Sequence, residues 1–153
     1  MKKLLFLVHR LPYPPNKGDK ISSYNILKYL SQHWRVHLGT FIDDPDDWQY
    51  TDTVKKMCED SCFVGLKNST KAAAIMKGLV RGTSFTEAFY ENKDLAAWVA
   101  ADIDSETPDA IFIYSGAMGQ YLPSAVPDST RIVFNCEDVD SEKWLNYSNA
   151  KVW

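Results

Sequence analysis

Short apolar runs rich in β-branched and aromatic side chains recur at 4–8, 36–41, 62–66, 110–114 and 132–136. The stretches between them space their apolar residues as helices do. Strands alternating with helices predict a parallel sheet wrapped by helices, an α/β Rossmann-like fold. Leu4-Leu5-Phe6-Leu7-Val8 is apolar at every position, as a central strand covered on both faces must be.

The helical segments have recognisable ends. Asp19 stands before a segment that buries Ile21, Tyr24, Leu27 and Leu30, and Asp47 opens another reaching Met57 and Cys58. Ser84-x-x-Glu87 is a capping-box pattern ahead of a helix through Phe89, Leu95, Trp98 and Val99, which Thr107-Pro108-Asp109 stops. Asp140 or Ser141 begins a further helix through Trp144, Leu145 and Tyr147, still under way where the sequence stops at Trp153. That ending is expected of one domain, 1–153, whose partner domain is absent from the chain. Trp34, Trp98 and Trp144 lie in helical or helix-end segments, where core packing accounts for them.

Composition narrows the function classes. At 153 residues and 45% apolar, the chain has the size of one domain with a real core. A formal net charge of -3 supplies no basic field with which to displace counterions from phosphates, so nucleic acid is not an expected partner. The apolar run after Met1-Lys2-Lys3 is too short for a signal peptide and lacks a cleavage site. No stretch approaches the roughly 20 apolar residues that span a bilayer. Three cysteines, Cys58, Cys62 and Cys136, fit reduced thiols in a cytoplasmic protein. Cys58-x-x-x-Cys62, with His9, His33 and His37 far off in sequence, leads to no expected metal site.

Ligands of doubly wound sheets bind outside the carboxyl ends of the strands. The first loop there is His9-Arg10-Leu11-Pro12-Tyr13-Pro14-Pro15-Asn16-Lys17-Gly18-Asp19-Lys20. Prolines stiffen it, Gly18 admits close approach of backbone N–H groups, and a helix N-terminus with Lys17 and Lys20 favours a phosphate or sugar hydroxyl. A surface loop with a glycine turn accounts for the same residues equally well. Neither G-x-G-x-x-G nor G-x-x-x-x-G-K-[ST] occurs, which argues against a dinucleotide enzyme and a P-loop NTPase. Ser115-Gly116 and Asn135 through Asp138 follow later strands and belong on the same rim, though Ser115 equally suits a helix cap and the acidic residues a solvated turn. The run Asp43 to Asp47 reads as a solvated loop and helix N-terminus. In the segment 67–81, Ala72, Ile75, Met76, Leu79 and Val80 form a stripe flanked by Lys67, Lys71, Lys77 and Arg81. It suits core packing, or peripheral contact with an anionic membrane.

The segment from His9 to Ile21, with Leu38-Gly39-Thr40-Phe41 and Asp43-Asp44-Pro45-Asp46-Asp47-Trp48, resembles bacterial GT-B glycosyltransferases of the group-1, or family 4, type. Within them it is most similar to sugar transferases found with exopolysaccharide and exosortase (PEP-CTERM) systems, and Val139-Asp140-Ser141-Glu142-Lys143-Trp144 is similar to a second motif of those proteins. Ser22, Asn135 and Glu137 depart from the family pattern, which bears on acceptor preference. The resemblance implies the N-terminal, acceptor-side half of a GT-B fold and a retaining transfer from a nucleotide-sugar to a glycan or lipid-linked acceptor, in the cytoplasm or at the inner membrane. It implies that Gly18, Asp19 and Lys20 meet the donor phosphate. It gives this domain most of the acceptor pocket, for which the first loop offers Arg10, Tyr13, Asn16 and Lys17, while position at the later strand ends adds Ser115, Gly116, Asn135 and Asp138. It brings no cofactor beyond the donor and no metal, assigns no catalytic residue, and leaves most of the nucleotide to a C-terminal domain with an E-x7-E motif, so this chain alone is expected to be inactive. The alternative is a stand-alone flavodoxin-like module that binds a phosphate-bearing small molecule at Gly18.

Overall fold

The computed structural model of the chain describes residues 1–66 and 85–136. Ser84, the basic segment 67–81, Glu137, Asp138 and the helix expected from Asp140 or Ser141 onward lie outside the described residues. Strands β1 (Lys2–Val8), β2 (Trp34–Ile42), β3 (Asp60–Gly65), β4 (Ala110–Tyr114) and β5 (Arg131–Asn135) form one sheet in the order β3-β2-β1-β4-β5, parallel throughout. The fold is the expected Rossmann-like α/β. The chain winds outward from β1 to β3, then returns to β1's other edge as β4. A flavodoxin-like sheet orders its strands 2-1-3-4-5, so that element of the alternative reading is corrected by the topology.

Period-two alternation distributes the core. Leu4, Phe6 and Val8 of β1 face one side with Val36, Leu38, Leu27 and Val54, beneath helices α1 (Gly18–Leu30) and α2 (Thr51–Lys55). Leu5 and Leu7 face the other with Ile111, Ile113, Leu95 and Val99. That side is covered by α4 (Lys93–Ser105), preceded in the chain by the short α3 (Phe85–Phe89), and by a 3-10 turn at Gly116–Tyr121.

Three helix expectations change in detail. Lys17, not Asp19, is the N-cap of α1, and Asp19 lies in its first turn. The buried face of α1 is Lys20, Ser23 and Leu27, while Ile21 is 46% exposed. The helix expected to open at Asp47 is a 3-10 turn, Pro45–Tyr50, whose cap is Asp44, with its carboxylate accepting from the Asp46 N–H at 3.1 Å. The helix expected through Phe89 and Val99 is two, because Asn92 Oδ1 accepts from the N–H groups of Asp94 (2.8 Å) and Leu95 (3.0 Å) and starts α4 afresh.

Lys20 is buried because Asp47 is buried opposite it, and their side chains pair directly. The pair joins the first turn of α1 to the turn after β2. Leu11 N–H donates to Phe41 C=O at 2.8 Å and fastens the loop between them to the end of β2. Removing one partner of such a pair strands the other charge, a loss of about 3–5 kcal/mol, whereas replacing both is close to neutral. Lys20→Met is therefore expected to lose about 3–5 kcal/mol in urea denaturation, and Lys20→Met with Asp47→Leu to recover most of it. A single variant within about 0.5 kcal/mol of the parent would show that the pair does not fasten the loop.

Candidate functional site

The strand order reverses between β1 and β4, and the crevice outside their carboxyl ends is where a doubly wound sheet takes ligands. His9 and Arg10 leave β1 there. The Arg10 guanidinium donates to Asp19 Oδ2 at 2.9 Å, and its Nε lies 3.0 Å from Asp43 Oδ2 as a charge contact rather than an aligned hydrogen bond. His9 Nε2 is 3.5 Å from Asp19 Oδ2. The His9 ring lies parallel to Tyr114 at 6.2 Å and meets Tyr90 edge-on at 5.9 Å. Tyr114, at the end of β4, reaches across the switch point with its hydroxyl 3.4 Å from Asp19 C=O.

These contacts set the local electrostatics. Burial pushes the Asp19 carboxyl up, but the hydrogen bond and charge of Arg10, the Lys20 backbone N–H and His9 outweigh it and hold the group below its ordinary value. Burial pulls the Arg10 guanidinium down, and the carboxylates of Asp43 and Asp19 more than restore it. Burial raises the Tyr90 phenol against the opposing pull of Arg10, so it stays a neutral donor.

The expected acceptor and donor residues divide by accessibility. Asn16, Lys17 and Gly18 are exposed, and a side chain added at Gly18 would meet nothing within 4 Å. Gly116 is equally open. Ser115 N–H donates to Asn135 C=O at 3.0 Å, which brings these two strand ends together on the rim. Ser115 has φ 84 and ψ 138, a left-handed setting that costs a residue with a Cβ about 1–3 kcal/mol, and its side chain does not cap the turn that follows. Tyr13 packs at 5.5 Å against Tyr24 and 5.4 Å against Tyr50, with a cis peptide bond to Pro14. Lys20 is 1% exposed and paired with Asp47, and Asp19 is engaged by Arg10, so neither side chain stands open to a ligand as Lys17 does. The acidic run after β2 likewise departs from a wholly solvated loop: Asp43 and Asp47 are counter-charges to Arg10 and Lys20, and only Asp44 and Asp46 are exposed.

A cleft of about 460 Å3 opens at the same end of the sheet, lined by Phe41, Cys62, Phe89, Glu91, Asn92 and Asp94 among others. Tyr90, packed on Phe41 and Phe89, separates it from the switch-point crevice. Glu91, Asn92 and Asp94 were not legible as site residues, because they fall where the sequence reads as helix interior. Cys58 and Cys62 are free and half-buried, and burial pushes the Cys58 thiol up to about 12, so it stays protonated. Cys136 is exposed.

A carboxyl whose pKa is depressed on folding stabilises fully above its unfolded value, about 3.9, and loses that contribution as pH falls through the folded value. The melting temperature is therefore expected to fall more steeply below about pH 4 in the parent chain than in Asp19→Asn. Parallel profiles would mean that Asp19 gains nothing from Arg10. No helix among the described residues is long and apolar enough to cross a membrane. Comparison with family models, curated proteins and solved structures finds no match.

Proposed function

We propose that this domain is the acceptor-side half of a cytoplasmic or inner-membrane-associated glycosyltransferase, which moves a sugar from a nucleotide-sugar to a glycan or lipid-linked acceptor in exopolysaccharide synthesis. The observation that carries the reading is the open backbone of Gly18 at the start of α1, on the rim of the switch point and beside exposed Asn16 and Lys17. A helix start of this kind suits a donor phosphate, and the resemblance of the 9–21 loop to family 4 transferases says which phosphate. The adjoining cleft, with aromatic walls and the polar groups of Glu91, Asn92 and Asp94, suits the hydroxyls and apolar faces of a sugar. Arg10, Asp19 and Lys20 act in this reading as positioning residues that hold the loop. The nucleotide is read by a second domain joined to this one, and the chain alone transfers little or nothing.

Gly18→Ala separates function from folding. Nothing crowds the added methyl, and alanine is the better helix former by up to about 1 kcal/mol. In the full-length protein the variant is expected to keep or raise the melting temperature. Its kcat/KM for transfer from a panel of nucleotide-sugars is expected to fall about tenfold, equivalent to about 1.4 kcal/mol. Full activity in Gly18→Ala, or transfer from none of the nucleotide-sugars, would contradict the assignment.

A further inference from the structure

The amino end of the sheet, away from the rim, carries a second cluster. His37 of β2 is 9% exposed; its Nδ1 lies 2.5 Å from Asp102 Oδ1, and its Nε2 lies 3.6 Å from Glu59 Oε1. Asp102 of α4 shares Oδ1 with the ammonium of Lys3, 3.1 Å away, and Lys3 also donates to the carbonyls of Asp102 and Glu106 at 2.7 Å each. The other oxygen, Asp102 Oδ2, is buried and has no hydrogen-bond partner among the described residues. Asp60 opens β3, and its Oδ2 accepts the indole N–H of Trp98 at 3.2 Å. One ligand atom from each of His37, Asp60 and Asp102 lies within 4.8 Å of the other two.

Carboxylates outnumber the lysine and arginine at this end of the sheet, with Glu59, Asp60 and Glu106 exposed and Asp102 buried. Lys3 and Arg35 face the carboxylates of Glu59, Asp60, Asp102 and Glu106, with Arg35 committed to Glu59 and Glu106 and Lys3 to one oxygen of Asp102. A buried carboxylate oxygen with no partner is costly, and a single proton on His37, directed at Oδ1, leaves Oδ2 as it is. A metal ion seated on Oδ2 answers that deficit.

We propose that His37, Asp60 and Asp102 bind a divalent transition metal of the zinc class, with water completing the coordination. Bonds of about 2.0–2.2 Å put tetrahedral ligand atoms roughly 3.4 Å apart. One ligand atom of each residue already lies within 4.8 Å of the other two, so side-chain adjustments of about an ångström bring the three to that spacing. An imidazole ligand favours zinc over magnesium or calcium. Glu59 beyond Nε2 and Trp98 on Asp60 stand where the outer contacts that orient metal ligands belong. The ion would tie β2, β3 and α4 together at the end opposite the ligand rim, as a structural centre rather than a catalytic one.

The test uses the untagged chain, stripped with chelator, in a Cys58→Ser/Cys62→Ser/Cys136→Ser background that removes thiol binding. Calorimetric titration with zinc chloride is expected to give one ion per chain and a zinc-dependent rise in melting temperature, with no rise for magnesium at the same concentration. Cobalt(II) in place of zinc is expected to show visible ligand-field bands. Asp60 is exposed, so Asp60→Asn keeps the fold and is expected to weaken zinc binding at least tenfold. His37→Gln is expected to abolish the cobalt bands. Absence of zinc binding in the cysteine-free chain, or binding unchanged in Asp60→Asn, would overturn the proposal.

Discussion

Opposite charges carried by two successive strand-end loops fix the geometry of the rim. Lys20 pairs with Asp47 inside the protein, and Arg10 spans Asp19 and Asp43 at its edge. The nine-residue loop 9–17, with no secondary structure of its own, would otherwise sample many conformations at about 1–2 kcal/mol of entropy per residue. With both ends tied to the turn after β2 and Leu11 bonded to Phe41, the segment that remains exposed is Pro15-Asn16-Lys17-Gly18. The buried pair is weak evidence for stability in itself, since two apolar residues would serve as well. What it contributes is position: the start of α1 is held at the point where the strand order reverses.

The sheet was legible in the sequence because its strands read as short apolar runs between helical stretches, most clearly β1, β2 and β4, which are buried on both faces. β4 was expected at the bounds it has, and β1 as the central strand it is. What failed was whatever depended on a distant partner. Lys20 reads as a solvent-facing cation until Asp47 is placed opposite it, and that one burial turns α1 so that Ile21 faces water. The Asp43–Asp47 run reads as a solvated turn for the same reason. The helix break at Asn92 was open to inference, since asparagine is among the best N-caps, but apolar spacing on both sides masked it. The open position of Gly18 at the start of α1 was legible from the loop's prolines and the helix that follows. The left-handed backbone of Ser115 carries no sequence signal, because glycine, the residue that would announce it, comes one position later.

The two ends of the sheet differ in chemistry as well as in place. The carboxyl end is open, with two glycines facing empty space, a left-handed serine and a cleft lined by carboxylates and aromatic rings. The amino end is closed by Lys3, which caps the last turn of α4 with its ammonium, and by His37 and Asp102 packed beside it. The proposed ligand exchange lies at the first and the proposed metal cross-link at the second. His37, Asp60 and Asp102 come from three elements far apart in sequence, which is why no spacing announced them as a group.

Backbone amide shift mapping of the isotopically labelled domain during titration with a sugar 1-phosphate asks whether the ligand surface is the rim at the ends of β1 and β4. A rim site moves the amides of Lys17, Gly18, Ser115 and Gly116 most and leaves those of β2 and β3 at the amino end unmoved. Shifts centred on the amino end, or none at millimolar ligand, would contradict it.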